Sequence, residues 1–247
     1  MFLFPYAGGS SQIYRQWVRI APDIFEICLI ELPGHGRRFK EKCHLCLETL
    51  SEDLLESILP YLNKSFAFFG HSMGALIGYE LAKLLLSRYN ISPEHLFVSA
   101  HRSPDYEKKE TPLYDLPEDI LIEKLAELDG MPHEIFENRE LLEIILPVIR
   151  SDFRICETYI LKDHMPVNCP ITAICGINDN YACYPHMQNW HRYTTDAFDL
   201  IKVEGNHFFI LENEQKIISL ITSSLYNRRK ILPAESLEYH TSRLAGK

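Results

Sequence analysis

Short apolar runs alternate with stretches of helical spacing along the first hundred residues. Phe2-Leu3-Phe4, Phe25-Glu26-Ile27-Cys28-Leu29-Ile30, Phe66-Ala67-Phe68-Phe69 and residues 95–100 each read as a strand, bulky and too brief for a helix. Between them, residues 13–20, 47–62 and 73–86 place apolar side chains at helical intervals, the last through Leu76, Ile77, Leu81, Leu84 and Leu85. In the second of these Ser51 is a candidate cap and Pro60 falls near the end. Strands alternating with helices predict an α/β fold with a mainly parallel central sheet and helices on both faces.

From residue 100 to residue 170 the alternation stops. No stretch there reads as a sheet strand, and helical patterns cover 116–128 and 139–154. Prolines at 104, 112, 117, 132 and 147 divide the segment, as hinged elements require. A helical lid insertion over about 104–165, lying across the C-terminal edge of the sheet, is expected. Strands resume at Ile171-Thr172-Ala173-Ile174-Cys175 and at 198–203, with helices over 187–193 and 214–225. One domain of residues 1–227 is expected, followed by a polar, aperiodic and mobile tail over 228–247.

A chain of 247 residues suits one α/β unit of this kind, and 46 % apolar residues can fill its core. The net charge of −9 argues against a nucleic-acid partner held by bulk electrostatics. Seven cysteines, an odd number scattered over strands and loops, fit a reduced cytoplasmic protein better than a disulfide framework. Cys43-His44-Leu45-Cys46 has metal-like spacing, but no second ligand pair answers it, so neither metal nor cofactor is expected. No apolar run reaches membrane-spanning length, and Met1-Phe2-Leu3-Phe4 lacks a basic leader. Neither membrane attachment nor export is expected.

The chemistry concentrates at Gly70-His71-Ser72-Met73-Gly74, between an apolar strand and a helix. A serine at such an abrupt turn, with glycines two positions either side, is a nucleophile elbow. The backbone N–H of Met73, at the helix start, then faces developing negative charge. Asp179 follows one late strand and His207 the next, so both emerge at the edge where Ser72 emerges. His207 is the expected general base and Asp179 its orienting acid, with Asp196, Asp199 and Glu204 as neighbouring alternatives. Ser, Asp, His is the chain order of the α/β-hydrolase fold. The second oxyanion donor is expected from Ala7, in the glycine loop after the first strand. His35, His44, His101, His133 and His186 read as surface or loop residues, and His71 as a neighbour turned away from Ser72.

Six segments together carry a likeness. They are Phe4-Pro5-Tyr6-Ala7-Gly8-Gly9, Leu32-Pro33-Gly34-His35-Gly36-Arg37-Arg38, Phe69-Gly70-His71-Ser72-Met73-Gly74-Ala75, Leu146-Pro147-Val148-Ile149-Arg150-Ser151-Asp152-Phe153, Glu157-Thr158-Tyr159 and Gly205-Asn206-His207-Phe208-Phe209. In this order they resemble the type II, stand-alone thioesterases of non-ribosomal peptide and polyketide synthases. The resemblance implies hydrolysis of acyl groups from the phosphopantetheine arm of carrier proteins, with Ser72, Asp179 and His207 as the triad and Ala7 and Met73 as oxyanion donors. Carrier proteins are acidic, which directs attention to Arg37, Arg38 and Lys40 as a docking cluster on a protein expected to be monomeric. A carboxylesterase, an acyltransferase and a non-catalytic binding module are the rival readings of the same fold.

Overall fold

The computed structural model describes residues 1–107, 110–128 and 130–231. Six strands form one sheet in the order β2-β1-β3-β4-β5-β6, and every neighbouring pair is parallel. They are β1 (Phe2–Phe4), β2 (Cys28–Leu29), β3 (Phe68–His71), β4 (Leu96–Ser99), β5 (Ile171–Gly176) and β6 (Phe198–Val203). The four inner strands are buried along their whole length, which is why they read as unbroken apolar runs. At the edge, β6 keeps Asp199 and Lys202 in solvent.

The helices are α1 (Arg15–Ile20), α2 (Leu47–Ile58), α3 (Met73–Tyr89), α4 (Glu118–Leu128), α5 (His133–Glu137), α6 (Arg139–Thr158), α7 (Tyr184–Gln188) and α8 (Glu214–Ile231). Helix α1 packs on α8 and α2 on α3, and the right-handed rule for parallel crossovers assigns α1 to one face of the sheet and α2 and α3 to the other. The chain leaves β1 outward to β2 and then returns across it to β3. This reversal opens a crevice between the C-terminal ends of β1 and β3, the usual binding place in an open parallel sheet.

Several elements differ from their sequence patterns. Of residues 25–30 only Cys28 and Leu29 pair with β1. Helix α2 begins at Leu47, so Ser51 is a buried interior residue and not a cap, and the last turn around Pro60 tightens into a 3-10 turn. The stretch 187–193 divides between the end of α7 (Tyr184–Gln188) and a 3-10 turn, Asn189–Tyr193, that continues it. Helix α8 runs on to Ile231, with Arg228 paired to Asp196 at 2.9 Å, so the start of the expected tail is helical. Residues 232–247 lie outside the described residues.

Between β4 and β5 the described residues contain α4, α5 and α6 and no sheet strand. These helices hold a small core of their own, Leu121, Leu125, Leu142, Leu146 and Ile149, separate from the main core. Asn138 caps α6 by accepting from Leu141 N at 3.1 Å. The C-terminal end of α6 buries Ile155 and Cys156 against the main core. The lid is therefore anchored at its last helix.

Candidate active site

Ser72 adopts φ 52° and ψ −119°, a region that a residue with a Cβ enters only when its surroundings force it. They do so here from three sides. Ser72 N donates to Ser99 O at 2.7 Å, tying the turn to β4. A Cβ on Gly70 would run into the carbonyl of Gly74, and one on Gly74 into the carbonyl of Phe4. The two glycines thus let α3 start directly against the exit of β1. That contact also brings Met73 N and the loop after β1 to the same crevice.

His207 Nε2 lies 3.1 Å from Ser72 Oγ, and His207 Nδ1 lies 2.8 Å from Asp179 Oδ2. The other oxygen of Asp179 accepts from Tyr181 N at 2.8 Å and Ala182 N at 2.9 Å. Burial opposes charge on this carboxyl, which is 3 % exposed, but His207 and the two amides outweigh it and hold its pKa below the ordinary value. The carboxylate fixes Nδ1 as the protonated nitrogen, which leaves Nε2 free to accept the Ser72 proton. Of the alternatives to Asp179, Asp196 is paired with Arg228 and Asp199 is exposed on β6.

His71 is fully buried beside the elbow, 0 % exposed, and turned away from the serine. Its Nε2 donates to the carbonyl of His207 at 2.9 Å, so Nδ1 is left to accept from Ser99 Oγ at 2.9 Å. Burial, and then the neighbouring His207, push its pKa well below the ordinary value. A neutral His71 therefore supports the backbone of the loop that carries His207. No spacing in the sequence marks this role, because the contact joins residues 136 apart. His35 and His101, which read as surface or loop residues, are loop residues with buried rings.

Over this crevice lies a cavity of about 570 Å³. Its floor is Ser72, His207 and the loop from Tyr6 to Ser10. Its roof comes from the lid, chiefly Leu125, Ile135, Ile145, Ile149 and Phe153. A lining of this kind takes up an apolar chain whose reactive carbon reaches Ser72. Phe208 closes the side next to His207 against Gly130, where any Cβ would meet its ring. Among the described residues no cluster of His, Cys, Asp or Glu is placed to hold a metal ion, and no helix is long and apolar enough to cross a membrane.

The Arg37–Arg38–Lys40 segment divides. Arg38 bonds both oxygens of Glu41, at 2.9 and 2.7 Å, and reaches Asp53 at 3.3 Å. Its charge is engaged by Glu41 of its own loop and by Asp53 of α2. Arg37 and Lys40 are exposed, with Phe39 63 % exposed between them.

A parallel sheet that ends in this elbow and carries a helical lid after its fourth strand is the α/β-hydrolase fold. Residues 1–225 match the family model described as a thioesterase domain, and the chain belongs to the thioesterase family. It is 38 % identical to the Brevibacillus parabrevis protein named linear gramicidin dehydrogenase LgrE, over 91 % of this chain and 87 % of that one. The loop after β1, Pro5-Tyr6-Ala7-Gly8-Gly9-Ser10, lacks the Gly-x-Gly-x-x-Gly pattern that cradles a dinucleotide. Among solved structures, RedJ, a thioesterase of the prodiginine pathway in Streptomyces coelicolor, superposes with a TM-score of 0.85 at 32 % identity, covering 90 % of this chain and 88 % of that one. BorB, a type II thioesterase from the borrelidin biosynthetic cluster, gives a TM-score of 0.82 at 31 % identity, covering 90 % of each chain.

Proposed function

We propose that this thioesterase hydrolyses acyl groups from the phosphopantetheine arm of carrier proteins in non-ribosomal peptide or polyketide synthesis, through an acyl-enzyme on Ser72. The observation that carries the reading is the hydrogen-bonded series Ser72–His207–Asp179 beneath an apolar cavity. The gramicidin, prodiginine and borrelidin settings of its relatives support the substrate class. The cytoplasm, where such synthases work, is the proposed location.

Ser72 Oγ attacks the thioester carbon as its proton passes to His207 Nε2, and Asp179 stabilises the imidazolium. The carbonyl oxygen gains negative charge and is met by the N–H groups of Ala7 and Met73, the second backed by the N-terminus of α3. Collapse breaks the C–S bond, and the thiolate leaves with the proton from His207 as thiol. Water then attacks the ester carbon, giving its proton to His207, and the acid departs as Ser72 recovers its hydrogen.

Arg37 and Lys40, exposed beside Phe39, are the proposed contact for an acidic carrier protein. A matched pair of substrates tests the whole reading. An acyl-carrier protein should be hydrolysed faster than an oxygen ester of the same acid, and a fluorophosphonate should label Ser72 alone. Preference for the oxygen ester would favour a carboxylesterase, and no label would favour a binding module. Arg37→Glu with Lys40→Glu should raise KM for the carrier protein several-fold and leave a short acyl-pantetheine thioester unchanged. Equal losses on both would give these residues a structural role.

A further inference from the structure

The loop that supplies Ala7 is held from the lid. Gly8 N donates to Asp152 Oδ2 on α6 at 2.7 Å, across 144 residues of sequence. Asp152 is 2 % exposed, and the same oxygen lies 2.8 Å from His35 Nε2. His35 Nδ1 faces the carbonyl of Pro33 at 3.0 Å. A carbonyl can only accept, so Nδ1 carries hydrogen, and Nε2 faces a carboxylate oxygen. Acceptors on both ring nitrogens are the bonding pattern of an imidazolium. Burial by itself lowers the His35 pKa, but the bond and charge of Asp152, the Pro33 carbonyl and the nearby charge of Glu31 outweigh it and raise the value. The Cys43 thiol also lies beside the pair, and burial and the charge of Asp152 push it up.

The geometry around Ala7 follows from two fixed peptide planes. The carbonyl of Tyr6 accepts from Gly9 N at 2.8 Å, and the N–H of Ala7 belongs to that same peptide, pointing the opposite way. The next peptide carries the N–H of Gly8, which Asp152 holds. Ile149, one turn before Asp152 on α6, packs over Gly8, with Cγ1 3.0 Å from where a Cβ would stand. Gly8 has φ +76°, so the loop is shaped for this grip.

We propose that Asp152, charged and held by His35, is a positioning residue that sets the Ala7 N–H for the oxyanion while α6 is seated on the loop. Neither residue lines the cavity or touches Ser72. The inference rests on the roles proposed above for Ser72 and Ala7. It links lid position to transition-state stabilisation, because α6 both roofs the cavity and holds the donor loop.

The test counts active sites by fluorophosphonate labelling of Ser72 and measures turnover of a short acyl-pantetheine thioester per labelled site. Asp152→Ala should lower kcat per site by about tenfold or more, since a donor displaced by a fraction of an ångström loses much of its effect, with KM within about twofold. Asp152→Asn, which keeps the shape without the charge, should fall between. His35→Ala should resemble Asp152→Ala, and His35→Gln, which keeps a donor near Nε2, should recover most of the loss. A His35 pKa raised by folding means that the ion pair is present below about 6.5 and is lost as pH rises through the folded value. Wild-type kcat should therefore decline on the alkaline side through a step that His35→Gln lacks. A purely structural pair would lower the labelled fraction or Tm and leave kcat per site unchanged. If the Asp152 and His35 variants turn over within twofold of wild type per labelled site, the proposal is overturned, and if Asp152→Ala does not fold, Asp152→Asn and the His35 pair decide. Wild-type protein that hydrolyses thioester with Ser72 unlabelled would instead overturn the reading of Ser72.

Discussion

The orientation of His207 depends on which atoms Asp179 offers. Oδ1 already accepts two backbone amides, Tyr181 N and Ala182 N, so Oδ2 is the oxygen left for His207 Nδ1. In Asp179→Asn the amides would keep the side-chain oxygen and turn the NH₂ group toward His207. The imidazole would then hold its proton on Nε2, the wrong nitrogen for receiving one from Ser72. The same substitution costs amide hydrolysis about 10⁴ in kcat. A thiolate, with a reference pKa near 8.5, needs less help from an acid as it leaves. The loss should therefore be smaller on a thioester than on an oxygen ester of the same acyl group, measured as the ratio of the two kcat values. Equal ratios would contradict this. Ser72, Asp179 and His207 were legible as a set because each follows a strand of recognisable pattern. The His71 and His35 contacts were not, since a ring's burial depends on chain that returns from more than a hundred residues away.

At the scale of elements, the start of α3 is fixed by contact between backbones. Gly74→Ala would drive a methyl group into the carbonyl of Phe4, so α3 or the exit of β1 must shift. Both proposed donor segments move with it, and a displacement of about 1 Å is enough to lower the rate about 10²-fold. We expect kcat for the short thioester to fall by that order, with far-UV circular dichroism unchanged. Activity within threefold of wild type would show that the close approach is dispensable. The lid gives a second test. Its small core contains Leu121 and Leu125 of α4, while α6 is anchored to the main core by Ile155 and Cys156. Hydrogen exchange in α4 should slow when a stable acyl analogue sits on Ser72, and α6 should change less. Unchanged exchange in α4 would mark a rigid roof. The lid's two longer helices were legible because their apolar faces recur at helical spacing. Helix α5 was not, since five residues are too few to establish a period.

Across the whole molecule, two buried histidines make stability depend on pH in the same direction. Burial first, and then Arg228, push His95 down to about 4, and His71 lies well below its ordinary value. The unfolded chain takes up protons near 6.5 while these folded sites stay neutral, so stability falls as pH drops from about 6.5 toward 4. For His95 this amounts to roughly 3.5 kcal/mol at most, at about 1.4 kcal/mol for each tenfold change in proton affinity. Denaturant midpoints for His95→Gln should therefore lose less between pH 6.5 and 4 than wild-type midpoints do, whereas parallel losses would exclude His95. The parallel architecture was legible from strand and helix alternation, but the shortness of β2 and the extra turns of α8 were not. Pairing partners decided the first, and the Arg228–Asp196 bond accompanies the second.

The proposed function rests on Ser72 as the carrier of the acyl group. The most direct measurement is release of free acid from an acyl-carrier protein by purified Ser72→Ala, with circular dichroism confirming that the fold is retained. The account predicts a fall in kcat of about 10³ or more, because the nucleophile acts as a unit with His207 and Asp179. A folded Ser72→Ala protein that keeps a tenth of wild-type turnover would contradict it.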